Sequence, residues 1–243
     1  MENKNIILLK KRSKPYAEQC AIYDQYARID VTSRNRDPQV ARDLSPLLLG
    51  PALASDGKEA VTFENLWQYS KVYPRIYAYD PVTGVKRIVP GIGPDGEPTP
   101  EYWAWRSHFF AQGGKGNRHP ALPSMIRHKD CRYMVYFENG VWHHLSYIEA
   151  RKKIYIPGYA TLVAKTGTYR ALADRVSRGE KIALVDFDSW NYYGKDMTDP
   201  GTMKDAVNNP DRKLGHAYVI KMLLQGDIEV VNGTVVDKAG VLT

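Results

Sequence analysis

The hydrophobic and polar positions from Val61 to Tyr73 (VTFENLWQYSKVY) divide cleanly by face. At about 100° per residue, Glu64, Trp67, Gln68 and Lys71 share one stripe, and Phe63, Leu66, Tyr69 and Tyr73 fall on the opposite side. The pattern predicts a helix closed by Pro74, with Thr62 as its N-cap after an Asp56-Gly57 turn, so that Glu64 stands in the first helical turn. A carboxylate and an ammonium are costly to bury unless they are paired or face a wet cavity. The stripe therefore reads either as the wall of a pocket or as a Glu/Lys pair on an ordinary amphipathic helix.

Upstream, Asn5–Leu9 reads as a strand, Tyr16–Tyr26 as a short helix and Ala27–Val31 as a second strand, while Leu44–Pro51 is apolar and bounded by Pro and Gly. Gly, Pro and charge dominate from Asp80 to Pro120, with Gly91–Pro98 as the densest breaker cluster. Within that region Glu101–Phe110 (EYWAWRSHFF) is dense in aromatics, which means either core or a stacking surface. Asn139-Gly140 between Cys131–Glu138 and Val141–Leu145 predicts a β-hairpin. Ser146 and Glu149 form a capping-box pattern for a helix running to about Tyr155 and ended by Pro157-Gly158, with Glu149, Arg151, Lys152 and Lys153 on a solvated face. Tyr159–Ser177 supplies more helix, interrupted near Thr166-Gly167, with Gly179 as the C′ residue.

Lys181–Ser189 reads as a buried strand with Asp186 and Asp188 at its C-terminal end, where sites in α/β sheets tend to lie. Trp190-Asn-Tyr-Tyr-Gly194 follows, so acids and stacking surfaces come together, unless one Asp simply caps the next turn. A polar loop from Lys195 to Arg212 leads to an amphipathic helix over Lys213–Leu224. Glu229–Val236, around Asn232-Gly233, reads as a second hairpin at a sheet edge. The fold class that follows is α+β: one domain over residues 1–243, mainly helical, with a small mixed sheet and added hairpins.

Composition narrows the function classes. With 43% apolar and 11% aromatic residues in 243, the chain can bury a sizeable core. It has no run of about 18 apolar residues for a membrane span. Ile6–Leu9, followed at once by Lys10-Lys-Arg12, is too short an apolar segment for a signal peptide, and a cytoplasmic location is expected. Cys20 and Cys131 sit in no metal or redox spacing and fit packing in a reduced compartment. His143-His144 would point to opposite faces of a strand, so no metal site is expected there. A net charge of +7 favours phosphate-bearing partners. Two basic segments, Lys10–Lys14 and Gly113–His119, offer DNA contact or are solvated turns, and the second lacks the Walker spacing.

Four segments taken in order carry a family resemblance: Leu44-Ser-Pro; Asp56-Gly-Lys58; Thr62–Lys71; and Trp190–Gly194 with Asp196 just beyond. They resemble the LSNF-type segment, the DGK-like turn, the [ST]xEHxxQxxK helix and the aromatic-Gly-Asp stretch of the NADAR family (NAD- and ADP-ribose-associated). Asp211–His216 is similar to that family's NxLG helix start. Glu149–Pro157 (EARKKIYIP) is similar to a segment of a phage and bacterial branch of NADAR-like proteins. Asn65 stands where the family usually has His, and residues of about 80–145 read as an insertion with no counterpart.

The resemblance implies cleavage of N-glycosidic bonds. The substrates would be guanine bases in nucleic acid that carry ADP-ribose, or ribosylated nucleotides, and no cofactor or metal is implied. Such cleavage passes through an oxocarbenium-like transition state that a carboxylate can stabilise, and Glu64 is the candidate. The resemblance gives Lys71 the part of an amine attacking C1′ to form a Schiff base. Asp188 or Asp186 would protonate the departing base or hold the ribose. Trp67, Gln68, Asn65, Asp186, Trp190, Tyr193, Gly215 and His216 would form the substrate-binding set. Two other activities share this set: a reader of ADP-ribose or modified bases that does no chemistry, and a transglycosylase that modifies phage DNA bases.

Overall fold

The computed structural model describes residues 5–11, 16–80, 83–112, 119–189 and 195–243. The fold is α+β. The chain forms two compact units, one of residues 1–49 with 151–243 and the other of residues 50–150. The region of about 80–145 that reads as an insertion lies inside the second unit.

The first unit opens with β1 (Ile6–Lys10), α1 (Tyr16–Ile22), β2 (Ala27–Asp30) and α2 (Pro38–Leu44). The second consists of β3 (Ala52–Leu53), β4 (Glu59–Ala60), α3 (Phe63–Tyr69), β5 (Lys71–Val72), β6 (Arg75–Tyr79), β7 (Lys86–Pro90), α4 (Pro100–Ala111), β8 (Tyr133–Glu138), β9 (Val141–Leu145) and α5 (Tyr147–Ala150). The first unit then resumes with a π-helical stretch, Arg151–Tyr155, followed by α6 (Ile156–Val163), α7 (Gly167–Ser177), β10 (Ile182–Asp186), α8 (Pro200–Asn208), α9 (His216–Gln225), β11 (Ile228–Val231) and β12 (Thr234–Asp237).

In the first unit β10 is the central strand of a parallel sheet ordered β1-β10-β2, in which Leu9 sits opposite Val185 and Leu184 opposite Ile29. A central parallel strand is covered on both faces, and all five residues of β10 are buried, as its unbroken apolar run requires. Leu9, Ala183 and Val185 pack with Ile7, Tyr16, Cys20, Tyr23 and Tyr26, so one face is closed by aromatics of α1 and the turn after it. Helix α9 packs on β1 and β10. The small mixed sheet expected from sequence is not what forms. Each described sheet is purely parallel or purely antiparallel, and β11 and β12 form a two-stranded sheet of their own, off the edge of any larger one.

Several boundaries differ from the sequence expectation. α1 stops at Ile22, short of the expected Tyr26. Two helices were not foreseen: α2, in a stretch given no assignment from sequence, and α8, in the stretch read as a polar loop. Each begins with Asp-Pro: the Asp37 side chain accepts from the Gln39 and Val40 amides, and the Asp199 side chain from the Gly201 amide, with proline at the first helical position. Pro157 does not end a helix but sits in the first turn of α6, where its missing N–H is no loss. Arg151, expected on a solvated face, is 1% exposed. Its guanidinium donates to the carbonyls of Ala206, Val207 and Asn209 (3.3, 2.9 and 2.8 Å) and to that of Arg212, closing the C-terminal end of α8.

In the second unit the aromatic run of Glu101–Phe110 is helix α4, and Tyr102, Trp105, Phe109 and Phe110 are core. Phe109 stacks on Tyr69 of α3 at 4.4 Å with an interplanar angle of 5°. Arg106, also in the core, makes two hydrogen bonds to Asp56 (2.8 and 3.1 Å). Burial pushes the Asp56 carboxyl up, but the guanidinium bonds and charge outweigh it and the net shift is downward. The β8–β9 hairpin turns at Asn139 (φ 54°) and Gly140 (φ 81°), the left-handed pair that an Asn-Gly turn supplies. Ser146 and Glu149 make the reciprocal capping bonds (2.7 and 3.3 Å) at the start of α5. The β6–β7 hairpin was not foreseen, although Asp80-Pro81 is a turn-initiating pair and Gly84 takes a left-handed φ of 69° in the connection.

Candidate functional site

The predicted site residues fall into two groups, one in each unit. In the unit of residues 50–150, Thr62 caps α3 by accepting from the Asn65 amide at 3.2 Å, which fixes Glu64 in the first turn. The helix ends earlier than its periodicity suggests: Ser70 makes the last helical bond to Leu66 through its amide (3.1 Å), and its hydroxyl bonds the same carbonyl (2.7 Å). Lys71 and Val72 then pair with Met134 and Tyr133 as a short strand. Lys71 is thus on a strand and not on the helix, yet its side chain still returns to the helical stripe.

There the three polar side chains form a line. Gln68 Nε2 donates to Glu64 Oε1 at 2.6 Å, and Lys71 Nζ donates to Gln68 Oε1 at 2.7 Å. Nζ also lies 5.0 Å from the centroid of the Trp67 ring, within reach of a cation–π attraction. Glu64 and Lys71 are half-buried and Gln68 is buried. The charge of Lys71 is also felt by Cys131: burial pushes that thiol up and Lys71 partly offsets the effect.

Two of the binding assignments change on inspection. Asn65 is 1% exposed, and both hydrogens of its amide are used on the carbonyls of Phe109 (2.7 Å) and Gln112, so it clamps α3 to the end of α4. Its place in a substrate-binding set is not supported by its bonding. Trp67 is only 7% exposed, so its indole is a floor rather than an open stacking face. The ring that reaches solvent beside it is Tyr147, 39% exposed and 6.1 Å from Trp67 between centroids. Sequence reasoning missed Tyr147. The capping box placed it at the start of a helix, but nothing local signalled contact with a residue 80 positions earlier.

The second group lies at the carboxyl end of β10. Asp186 Oδ1 accepts from the Phe187 amide at 2.7 Å. Asp186 Oδ2 makes no hydrogen bond among the described residues and faces His216 Nδ1 at 3.4 Å, a contact that attracts only when a proton sits between the two atoms. His216 Nε2 is 2.8 Å from the Val31 carbonyl and must donate to it, since that oxygen can only accept. Gly215 precedes α9, and a Cβ there would stand 2.5 Å from Asp186 Oδ2 and 3.1 Å from Asp188 Cβ. Asp188 is exposed. Lys11, bonded to Asp30 and lying 3.3 Å from the Thr32 hydroxyl, stands with Arg34 over the Phe187 ring, at 5.5 and 5.6 Å from its centroid. Lys11 belongs to the basic segment Lys10–Lys14 read from sequence as a DNA contact or a solvated turn; Arg34 was not singled out.

Trp190 and Tyr193 lie outside the described residues, as do most of the two basic segments, Arg12–Lys14 and Gly113–Arg118. Among the described residues no group of three or more His, Cys, Asp or Glu is placed to hold a metal ion, and no helix is long and apolar enough to cross a membrane. His144, from the His143-His144 pair, stacks on Tyr133 at 3.8 Å and meets Glu97 at 3.1 Å.

No protein-family model, no curated protein and no solved structure matches this chain, so the likeness to the NADAR family rests on the quoted motifs.

Proposed function

We propose that the protein cleaves an N-glycosidic bond of a nucleoside-like substrate, removing ADP-ribose from guanine in nucleic acid or hydrolysing a ribosylated nucleotide. The observation that carries this reading is the line Glu64–Gln68–Lys71 beside Trp67, which presents a carboxylate and an amine from one stripe at two half-buried ends. As the C1′–N bond breaks, its electron pair leaves with the base and positive charge develops at C1′, which the Glu64 carboxylate stabilises. The departing base takes up the proton that the Lys71 ammonium gives up, and the resulting amine forms the new C1′–N bond. Opening of the ribose gives a Schiff base, and water then returns the free sugar and the lysine. Tyr147 offers the exposed ring on which the base would stack.

A second reading has an observation of its own. Lys71 donates to a carbonyl, as an ammonium does, and a protein that only binds ADP-ribose or a modified base would use it that way. Incubation with ADP-ribosylated DNA oligonucleotide and with ribosyl nucleotides, with and without borohydride, separates the readings by mass spectrometry. Released ADP-ribose or base together with a reduced adduct on Lys71 is the expected result. Binding without release or adduct would leave Glu64 and Lys71 as ligand contacts, and turnover only when a second base is added would indicate base exchange.

A further inference from the structure

The antiparallel sheet β5-β8-β9 decides which residues share a face with Lys71. Lys71 stands opposite Met134, Met134 opposite Leu145, and Tyr136 opposite His143. Residues opposite one another in an antiparallel sheet point to the same side, and so do residues two apart along a strand. Lys71, Met134, Leu145, Tyr136 and His143 therefore share one face, with Glu138 and Val141 one step farther along it. His144 takes the other face, where it stacks on Tyr133 at 3.8 Å and meets Glu97 at 3.1 Å. The two adjacent histidines are thus divided. His144 is engaged, whereas the imidazole of His143 is exposed and makes no hydrogen bond, ion pair or ring contact among the described residues. Tyr136 is the diagonal neighbour of Lys71, at about 7 to 8 Å, and His143 lies directly across from it. Two strand spacings and an offset of two residues put the backbones of Lys71 and His143 on the order of 12 Å apart. Two side chains and one sugar phosphate fill such a span.

We propose that His143 is a substrate-binding residue of the Lys71 site, donating an imidazole N–H to a phosphate of the ligand whose C1′ meets Lys71. The inference rests on the reading of Lys71 as the group at C1′. An imidazole has an N–H to donate whether neutral or charged, and a phosphate oxygen is the stronger kind of acceptor. Both substrate classes of that reading carry phosphate on the C5′ side of the ribose, and the net charge of +7 favours such ligands. The carboxylate on this face is Glu138, one step past His143, so an anion reaching out from Lys71 meets the imidazole before the acid. His143 lies in the stretch of about 80–145 that has no counterpart in the resemblance, so the family motifs do not supply this contact.

The test is calorimetric binding of ADP-ribose and of ribose 5-phosphate to the full-length protein. His143→Ala is expected to weaken ADP-ribose binding by about tenfold or more, and His143→Gln, which keeps an N–H, to retain most of the affinity. His144→Ala, one residue away on the opposite face, is expected to leave it unchanged. A loss with ADP-ribose alone assigns the contact to the second phosphate, and a loss with both ligands to the phosphate on C5′. Four results would overturn the inference: His143→Ala binding both ligands as wild type does, an equal loss in His144→Ala, a His143→Gln no better than His143→Ala, or no binding of either ligand to wild type at millimolar concentration. The two readings fail separately. Binding lost in His143→Ala with no borohydride adduct on wild-type Lys71 overturns the glycosidase and leaves the phosphate contact. An adduct with unchanged binding does the opposite.

Discussion

Two polar lines, one in each unit, use similar residue types and end differently. Glu64–Gln68–Lys71 runs from side chain to side chain and includes two half-buried charged groups. Asp186–His216–Val31 runs inward and stops on a main-chain carbonyl, with His216 and Asp186 both buried. A line that ends on backbone ties one element to another, here α9 to β2. A line that includes half-buried charged side chains lies within reach of a ligand. The contrast favours the first as the candidate site and gives the second a structural part.

The largest expected effect separates the two lines directly. Glu64→Gln is expected to lower turnover by a factor of about 10² to 10⁴ while shifting stability by less than about 1 kcal/mol. Full activity on a true substrate, measured by base release, would remove Glu64 from the mechanism. Arg151→Met tests the principle that lines ending on backbone are structural. It strips three carbonyls at the end of α8, and that of Arg212 beyond it, of this donor, and a loss of about 3 to 5 kcal/mol is expected in denaturant unfolding. A loss below about 1 kcal/mol would show that water replaces the guanidinium.

The next effect is in pH. Burial pushes Asp227 up to about 6 against Lys221's charge, and burial pulls Lys221 down to about 8 against the pull of Asp227 and Asp196. For Asp227 the fold favours the protonated acid, so its contribution is present below its ordinary value near 4 and is lost as pH rises through about 6. Over that interval unfolding is expected to become easier by up to about 3 kcal/mol. Asp227→Asn is expected to flatten this part of the stability profile, and an unchanged slope in urea titrations would contradict it. Gly215→Ala, with its Cβ 2.5 Å from Asp186 Oδ2, should lose about 1 to 3 kcal/mol in thermal unfolding as the Asp186–His216 line is forced apart. The smallest effect is Tyr147→Ala, expected to weaken binding of a nucleoside ligand by about 1 to 2 kcal/mol in calorimetry while Tyr147→Phe retains it. Equal loss in both would point to the hydroxyl instead of the ring.

How much of this was legible depended on how local the signal is. Both Asn-Gly hairpins, the Ser146–Glu149 capping box, the Thr62 cap and the buried strand at β10 all appear where the sequence puts them, because each is decided within a few residues. The α2 and α8 starts carried an equally local Asp-Pro signature that polarity obscured. The end of α3 was misplaced because strand pairing with β8, sixty residues away, competes with helical periodicity for Lys71 and Val72. At the candidate site the stripe of Glu64, Trp67, Gln68 and Lys71 was readable from a 100° period, but not that Asn65 would be a clamp or Tyr147 a neighbour.

By itself the sequence determined the α+β class, the stripe and its chemistry, and the turns that left-handed Asn and Gly residues require, since these depend on backbone preference and side-chain spacing. Only the tertiary structure decided what several of the charges meet and how far they are buried. It buried Arg151 against the end of α8 and Arg106 against Asp56, closed His216 onto Val31, and left Glu64 and Lys71 half-exposed on either side of Gln68. The reason is physical: a side chain's availability depends on the partners that folding brings to it, and those partners lie tens to more than a hundred residues away.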